Sequence, residues 1–381
     1  MPEYIYLDYN ATTPLLPEVI YEIERTLKDS WGNPSSSHAL GKRAKETLET
    51  ARARVAGLIN AWPEEVIFTS GGTESNNLAI IGAAKALKEK GKHLITTRIE
   101  HPSVINPFVH LMEEGFEVDF VGPDKNGIVD PQKLATFIRP DTVLCSVMLA
   151  NNETGALQPI SEIGKICRKH DILFHTDAAQ AVGKIPVDVK ELGVDLLTVA
   201  GHKLYAPKGI GALFVRSGVS LERILFGAGQ EMGLRAGTEP VPGAAALGMA
   251  CSLLKEKIHD EMARQAELRE LLYEILDSKT ENMVRFVPPE SCLPNTLAIS
   301  FYGVTGARLL EQVPRIMAST GAACHDRSVS VSHVLSAMGV DKETALGMVR
   351  LSMGVFTTKE EVEEAGRLLA EAASRLRQKR G

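Results

Sequence analysis

Cysteine is scarce in this 381-residue chain, and its arrangement argues against several kinds of site. The number of cysteines is odd, and no two have Cys-x-x-Cys spacing; they are Cys145, Cys167, Cys251, Cys292 and Cys324. We therefore expect no disulfide framework and no cysteine-rich zinc site, and no metal is predicted. Free thiols fit a protein of the reducing cytoplasm.

The chain also lacks an excess of positive charge and any long apolar run. Its net charge of −6 argues against nucleic-acid binding, because phosphate recognition needs concentrated lysine and arginine. No apolar segment approaches the ~18 residues of a membrane-spanning helix, and the first residues lack the pattern of a secretion signal. The chain contains no GxxxxGK[ST] and no GxGxxG motif, so the usual nucleotide-binding fingerprints are missing.

What the chain does contain is an alternation of apolar strand-like runs and helical patterns. A strand at 93–96 leads to a helix at about 103–114, and a strand at 142–149 leads to a helix at about 160–169. This alternation predicts a mostly parallel sheet covered by helices, in a large α/β domain. After a long helix at about 240–276 the order changes, which indicates a smaller α+β domain; its predicted strands and helices lie at 296–301, 305–313, 315–318, 331–338, 348–352 and 358–377.

Two segments near strand ends predict contacts with a phosphorylated aromatic ligand. Thr69-Ser-Gly-Gly-Thr-Glu-Ser-Asn-Asn77 follows a strand and opens a helix, where glycines and free N–H groups suit an anion, with Thr73 adding a hydroxyl. An ordinary capped helix start would read the same way. His101, just before a proline, could stack on a ring and move protons, although many such histidines lie on the surface or cap a helix.

A second pair of strand ends carries an aspartate and a lysine. Phe174-His-Thr-Asp-Ala-Ala-Gln180 places Asp177 at the end of an apolar run, where an unpaired charge would be costly. Lys203 follows another apolar strand, in a position suited to lose its proton and attack a carbonyl carbon. Together they suit pyridoxal phosphate, because the lysine can form the Schiff base while the aspartate keeps the pyridine nitrogen protonated.

Three further residues leave alternatives open. Asn152, in Ala150-Asn-Asn-Glu-Thr-Gly155, follows a strand and could contact a ligand or simply form a turn. Cys324 lies in a Gly/Ala-rich segment beside basic residues, which favours either a nucleophilic thiolate or an inert loop cysteine. Arg350 interrupts an apolar strand and needs an anion, either a substrate carboxylate or an internal acidic side chain.

In their order along the chain, these motifs resemble the cysteine desulfurase and selenocysteine lyase family of fold-type I pyridoxal-phosphate enzymes. The similarity covers nearly the whole chain; it includes Tyr6-Leu-Asp-Tyr-Asn-Ala-Thr-Thr-Pro14, Trp31-Gly-Asn-Pro-Ser-Ser36, Arg235-Ala-Gly-Thr238 and Arg350-Leu-Ser-Met-Gly354. The resemblance implies a large domain with a mostly parallel seven-stranded sheet at 14–255. It also implies a smaller α+β domain formed by 1–13 and 256–381, which carries the Cys324 loop.

The resemblance also implies residue roles. Lys203 would carry the cofactor, His101 would stack on its ring and shuttle protons, and Cys324 would accept sulfur as a persulfide. The remaining expected roles are these: Asp177 at the ring nitrogen, Gln180 at the ring hydroxyl, Gly72, Thr73 and His202 at the phosphate, Thr238 at the phosphate of the other subunit of a homodimer, Asn152 beside cofactor and substrate, and Arg350 at the substrate carboxylate.

The sequence departs from this family's pattern in three places. Ala200 stands where a serine often contacts the phosphate, so one contact is expected to be missing. Gly321-Ala-Ala-Cys-His325 is more similar to animal selenocysteine lyases than to housekeeping desulfurases. The chain ends at Gly381 without the longer tail that docks an iron–sulfur scaffold in housekeeping desulfurases, which speaks against that partnership.

The predicted reaction converts L-cysteine to L-alanine. L-selenocysteine is the alternative substrate, and a non-catalytic persulfide relay is a second alternative, although Lys203 and Arg350 together argue against it. An aminotransferase would have no need of Cys324. The sequence names neither the sulfur-acceptor protein nor the pathway, whether iron–sulfur clusters, thiolated tRNA or selenium recycling.

Overall fold

A computed structural model describes residues 4–320, 324–325, 328–329 and 331–378, with the backbone alone at 324–325 and 328–329. Its helices are α1 (Pro17–Asp29), α2 (Ala39–Leu58), α3 (Gly72–Ala86), α4 (Pro102–Glu113), α5 (Pro131–Ala135), α6 (Ile160–Lys169), α7 (Val189–Leu192), α8 (Val241–Lys279), α9 (Gly306–Glu311), α10 (His333–Ala337), α11 (Lys342–Leu346) and α12 (Lys359–Gln378). Its strands are β1 (Ile5–Tyr6), β2 (Val66–Thr69), β3 (His93–Thr97), β4 (Glu117–Val121), β5 (Thr142–Ser146), β6 (Leu173–Asp177), β7 (Leu196–Ala200), β8 (Gly211–Val215), β9 (Met283–Arg285), β10 (Thr296–Phe301), β11 (Ile316–Met317), β12 (Ser319–Thr320), β13 (Cys324–His325), β14 (Ser328–Val329) and β15 (Met348–Ser352).

The large sheet has seven strands in the order β2-β8-β7-β6-β5-β3-β4. Strands β4, β3, β5, β6 and β7 are parallel neighbours, whereas β8 runs antiparallel to both β7 and β2. Every residue of β5, β7 and β8 is buried, as expected for strands covered by helices on both faces. The predicted mostly parallel seven-stranded sheet is therefore confirmed.

A smaller antiparallel sheet, β12-β15-β10-β9, lies in the last third of the chain. Its apolar face forms a core of its own with α12 and the second half of α8. The N-terminal strand belongs to this part, because Ile5 and Tyr6 pair with Ile316 and Met317 of β11. We propose the division expected from the sequence, 14–255 against 1–13 with 256–381, and note that its boundary falls inside α8.

Most predicted elements occur with small shifts in their ends. The strand expected at 142–149 ends at Ser146, and within the run expected at 315–318 only Ile316–Met317 forms a strand, β11. Helices α1 and α2, which pack against α8, are additions to the sequence-based prediction. Among the described residues, no helix combines the length and the apolar composition needed to cross a membrane.

Candidate active site

A cavity of about 400 Å³ opens at the carboxyl ends of the central strands. Such an edge is where open α/β sheets bind ligands. The structure brings nine of the predicted site residues to its wall: Gly72, Thr73, His101, Asn152, Asp177, Gln180, His202, Lys203 and Arg350. The wall also contains residues that were not predicted, among them Asn10, Asn76 and Ser103.

Lys203 lies in a 3-10 turn directly after β7. Its amine donates hydrogen bonds to the carbonyl oxygens of Asn10 and Ala11, the second at 2.9 Å. Desolvation, and then the positive charge of Arg350, lower the pKa of Lys203 to about 8. At neutral pH a useful fraction of this amine is uncharged, and only the uncharged form can attack a carbonyl carbon.

Asp177 ends β6 and is 6% exposed. Its carboxylate accepts hydrogen bonds from Asn76 Nδ2 (2.7 Å) and from the backbone N–H of Ala179 (2.9 Å). Within the part of the chain that the structure describes, it forms no ion pair. A buried carboxylate with only neutral donors can accommodate one more, cationic partner, and a protonated pyridine nitrogen has the required chemistry.

A hydrogen-bonded chain connects Asp177 to His101. Asn76 Nδ2 also donates to Ser103 Oγ (2.8 Å), which lies 2.7 Å from His101 Nδ1. The backbone N–H of Ser103 donates to the same ring nitrogen (3.1 Å), so in the neutral ring the proton resides on Nε2. Desolvation lowers the pKa of His101, while the charge of Asp177 opposes that shift. The ring is thus held neutral with an N–H available for proton transfer.

The predicted phosphate cup lies at the start of α3. Gly71 has φ of +147° and Gly72 is the first helical residue, so the chain turns tightly and leaves free backbone N–H groups beside Thr73. His202 completes this side of the cavity, with Nδ1 3.2 Å from Thr12 Oγ1. Desolvation and the charges of nearby lysines lower the pKa of His202 to about 4, so at neutral pH it can donate one hydrogen bond without a net charge.

Beneath the cavity, a buried polar network fixes the Gln180 side chain. Gln180 Nε2 donates to the carbonyl oxygen of Asn10 (2.9 Å), which can only accept, and this settles the orientation of the amide. Its Oε1 accepts from Lys184 Nζ (2.7 Å), which also donates to Asn10 Oδ1 (2.9 Å). Burial holds the pKa of Lys184 well below its usual value. Lys184 and Asn10 therefore position Gln180 and, through the Asn10 carbonyl, Lys203.

Arg350 lies in β15 and is 8% exposed. Its Nη2 pairs with Asp8 Oδ1 at 2.6 Å, and its Nη1 donates to the carbonyl oxygen of Asn152 at 2.8 Å. The internal acidic partner considered as an alternative is thus present. Yet Nε is buried and has no hydrogen-bond partner among the described residues, so the guanidinium of this cavity-lining arginine retains one unused donor.

Two predicted residues lie outside this arrangement. Thr238 is exposed, just before α8, and does not line the cavity; its expected contact is with the other subunit, so it stays a prediction. Cys324 pairs with Val329 through its backbone, but its side chain lies outside what the structure describes.

The other cysteines, Cys145, Cys167, Cys251 and Cys292, are buried free thiols. Over the described ranges, no group of three or more His, Cys, Asp or Glu forms a candidate metal site.

The sequence contained a signal for each contributor that was not singled out. Asn10 and Asp8 belong to the family-like run Tyr6–Pro14, and Asn76 to the glycine-containing segment at the start of α3. Ser103 follows His101 by two residues, the spacing at which a helix start places its N–H on a capping side chain. Lys184 follows Gln180 by four residues, but no local pattern marks it as buried.

Comparison with known proteins gives the family. The model of the aminotransferase class-V family matches residues 5–365. The curated cysteine desulfurase IscS of Dictyoglomus turgidum is 44% identical over 379 residues, covering 99% of this chain and 96% of that protein. A solved NifS-like protein superposes with a TM-score of 0.91 at 35% identity, covering 97% of this chain and 99% of the other.

A second solved structure, described as SspA in complex with cysteine, superposes with a TM-score of 0.82 at 36% identity. It covers 93% of this chain and 99% of its own. The chain belongs to the aminotransferase class-V family, a family of pyridoxal-phosphate-dependent enzymes.

Proposed function

We propose that the protein is a pyridoxal-phosphate-dependent cysteine desulfurase, which converts L-cysteine to L-alanine and transfers the sulfur to Cys324. One observation carries the proposal: a lysine with a lowered pKa and a buried, cation-free aspartate face the same cavity. The similarity to curated cysteine desulfurases supports the choice of reaction.

The wall of the cavity fits the cofactor. We propose that Lys203 binds it covalently and that Asp177 holds a proton at its ring nitrogen. Gly72, Thr73 and His202 would hold the phosphate, Gln180 would donate to the ring hydroxyl, and His101 would stack on the ring. When bound, pyridoxal phosphate supplies an electron sink for the electron pair left at the substrate's α-carbon.

The residues of the chain then have distinct tasks with L-cysteine. Arg350, through its free Nε–H, binds the α-carboxylate beside Asn152. Lys203, once released by the incoming amine, removes the α-proton as an uncharged base. His101, with its proton on Nε2, donates and takes up protons on the other side of the ring.

Sulfur transfer falls to Cys324. Its thiolate attacks the substrate sulfur, so that a new S–S bond forms while the Cβ–S bond breaks and leaves its electron pair on Cβ. Cβ takes up a proton, and L-alanine is the product. A sulfur-acceptor protein would then remove the terminal sulfur from the Cys324 persulfide.

The variant Cys324→Ala tests this step. Because Lys203, and not Cys324, is the residue proposed to bind the cofactor, we expect the visible absorbance of the bound cofactor to remain while release of sulfide and alanine from L-cysteine is lost. Cys251→Ala, which removes a thiol buried in α8, serves as the control and should stay active. Undiminished turnover by the Cys324 variant would overturn the persulfide step.

The loop sequence Gly321-Ala-Ala-Cys-His325 favours a second candidate, selenocysteine lyase. Alanine release from L-cysteine and L-selenocysteine, measured side by side, separates the two. Comparable or faster turnover of L-cysteine supports the desulfurase. Negligible turnover of L-cysteine with fast turnover of L-selenocysteine would assign the protein to the alternative.

We further propose that the protein acts as a homodimer in the cytoplasm. Large apolar side chains are exposed on the surface, among them Trp31, Phe226 and Met232, and a partner subunit would cover them. Thr238 would then reach the phosphate in the other subunit. Light scattering on the purified holoenzyme tests the dimer, and a monomeric mass together with full activity would contradict it.

A further inference from the structure

Asp8 is a half-buried carboxylate that the mechanism above does not use. It follows β1 and forms a bridge with Ser352 in β15, two residues after Arg350. The backbone N–H of Ser352 donates to the Leu7 carbonyl at 2.7 Å. The N-terminal segment is therefore fixed along the strand that carries the substrate-binding arginine.

Both oxygens of Asp8 are occupied. Oδ1 contacts Arg350 Nη2 at 2.6 Å, and Oδ2 accepts from Ser319 Oγ at 2.9 Å. Ser319 and Arg350 lie directly opposite each other on β12 and β15. The hydrogen bond from Ser319 to Oδ2 thus fixes the Asp8 carboxylate, and Oδ1 of the same carboxylate fixes the Arg350 guanidinium.

Among the residues that the structure describes, Arg350 forms an ion pair with no other carboxylate. The carboxyl of Glu153 also lies near, but it accepts from Ser332 Oγ (2.5 Å), and desolvation raises its pKa. Asp8 is the carboxylate that forms an ion pair with the guanidinium. Its charge offsets part of the cost of burying Arg350 at 8% exposure.

The contact with Asp8 uses only one edge of the guanidinium. A carboxylate recognises arginine best through two parallel N–H groups, but Asp8 reaches Nη2 and leaves Nε without a partner. A buried N–H without an acceptor destabilises the structure. A ligand carboxylate that reaches Nε would remove that destabilisation, so the pairing with Asp8 leaves the arginine prepared for a second anion.

We propose that Asp8 is a positioning residue for the α-carboxylate of the substrate. It fixes Nη2 of Arg350, together with the Asn152 carbonyl at Nη1, so that the Nε donor of this cavity-lining arginine is not used by the protein's described residues. This inference rests on the proposed function, because it takes the substrate to be an α-amino acid. The alternative, that Asp8 occupies the substrate's own place and must be displaced, predicts an effect of opposite sign on KM.

Steady-state alanine release by the holoenzyme tests the inference in a double-mutant cycle. Asp8→Ala is expected to raise KM for L-cysteine by about tenfold, the effect of losing one charge-assisted hydrogen bond, with kcat changed far less. In an Arg350→Ala background, the same substitution should leave KM unchanged, because Asp8 acts through Arg350. Asp8→Asn keeps an acceptor oxygen of the same size and should restore most of the affinity.

Controls keep the outcomes distinct. Glu364→Gln removes the ion pair between Glu364 and Arg315, away from the cavity, and should leave KM as it is. A lowered KM in Asp8→Ala, or an equal rise with and without Arg350, would overturn the inference. If Asp8→Ala does not fold, Asp8→Leu, which is close to aspartate in size and also lacks an acceptor, takes its place in the same cycle with the same expected signs. Failure of the wild-type protein to release alanine would instead refute the proposed function.

Discussion

The lowered pKa of Lys203 makes a quantitative prediction for cofactor loading. With a pKa of about 8, instead of 10.5 for an ordinary lysine, about one-tenth of the Lys203 amines are uncharged at pH 7. An ordinary lysine has about 0.03% in that form, so burial and the Arg350 charge enrich the reactive amine about 300-fold. The apoprotein should therefore react with pyridoxal phosphate much faster than a model lysine peptide does.

The assay follows the absorbance of the bound cofactor after apoprotein and pyridoxal phosphate are mixed between pH 6 and pH 10. Dividing each rate constant by that of the peptide removes the titration of the cofactor itself. The ratio should stay at about 300 below the Lys203 midpoint at about pH 8 and then fall about tenfold per pH unit up to about pH 10.5, because only the peptide amine is still titrating there. Arg350→Gln should raise the midpoint and Asp8→Asn should lower it, because Arg350 lowers and Asp8 raises the pKa of Lys203. A midpoint near 10.5, or a shift of both variants in one direction, would refute the reasoning.

Three other substitutions have expected outcomes. Glu231→Ala should lower the free energy of unfolding by about 3–5 kcal/mol in urea titrations, because buried Arg52 loses its buried carboxylate partner and the Phe68 N–H loses its acceptor. Lys184→Met should weaken the dependence of the unfolding free energy on pH below about 10.5. In the wild type that free energy falls as the pH drops, because the unfolded chain takes up a proton at this lysine while burial holds the folded pKa of Lys184 well below its usual value. Ala200→Ser should lower the dissociation constant of the cofactor about fivefold by adding a phosphate contact worth about 1 kcal/mol.

Local patterns predict elements whose buried face is apolar and continuous. Helix α6 and strands β10 and β15 occur within the predicted bounds, because each is an apolar pattern limited by residues that break it. Helix α1 is not among the predicted elements; its buried face includes Glu22 and Thr26, whereas the apolar side chains of Ile20 and Leu27 are exposed. In this helix, tertiary packing and not the position of the apolar stripe decides which face is buried.

The residues of the candidate site also include some that the sequence predicts and some that it does not. Lys203 and Asp177 could be predicted because the carboxyl ends of parallel strands meet at one edge of the sheet. The contributions of Asp8 and Asn10 could not, because they depend on partners far along the chain; the Asn10 N–H donates to Ser352 Oγ across 342 residues. No rule of spacing connects two such positions.

This long separation has a consequence for biosynthesis. The N-terminal segment leaves the ribosome first, yet its strand pairs with Ile316 and Met317, and Asn10 is held by Ser352. The carbonyl acceptors of Lys203 at Asn10 and Ala11 are therefore fixed only when nearly the whole chain has been translated. A partly synthesised chain can assemble the large sheet without completing the surroundings of its lysine. We therefore expect the cofactor to be captured after translation, by finished chains.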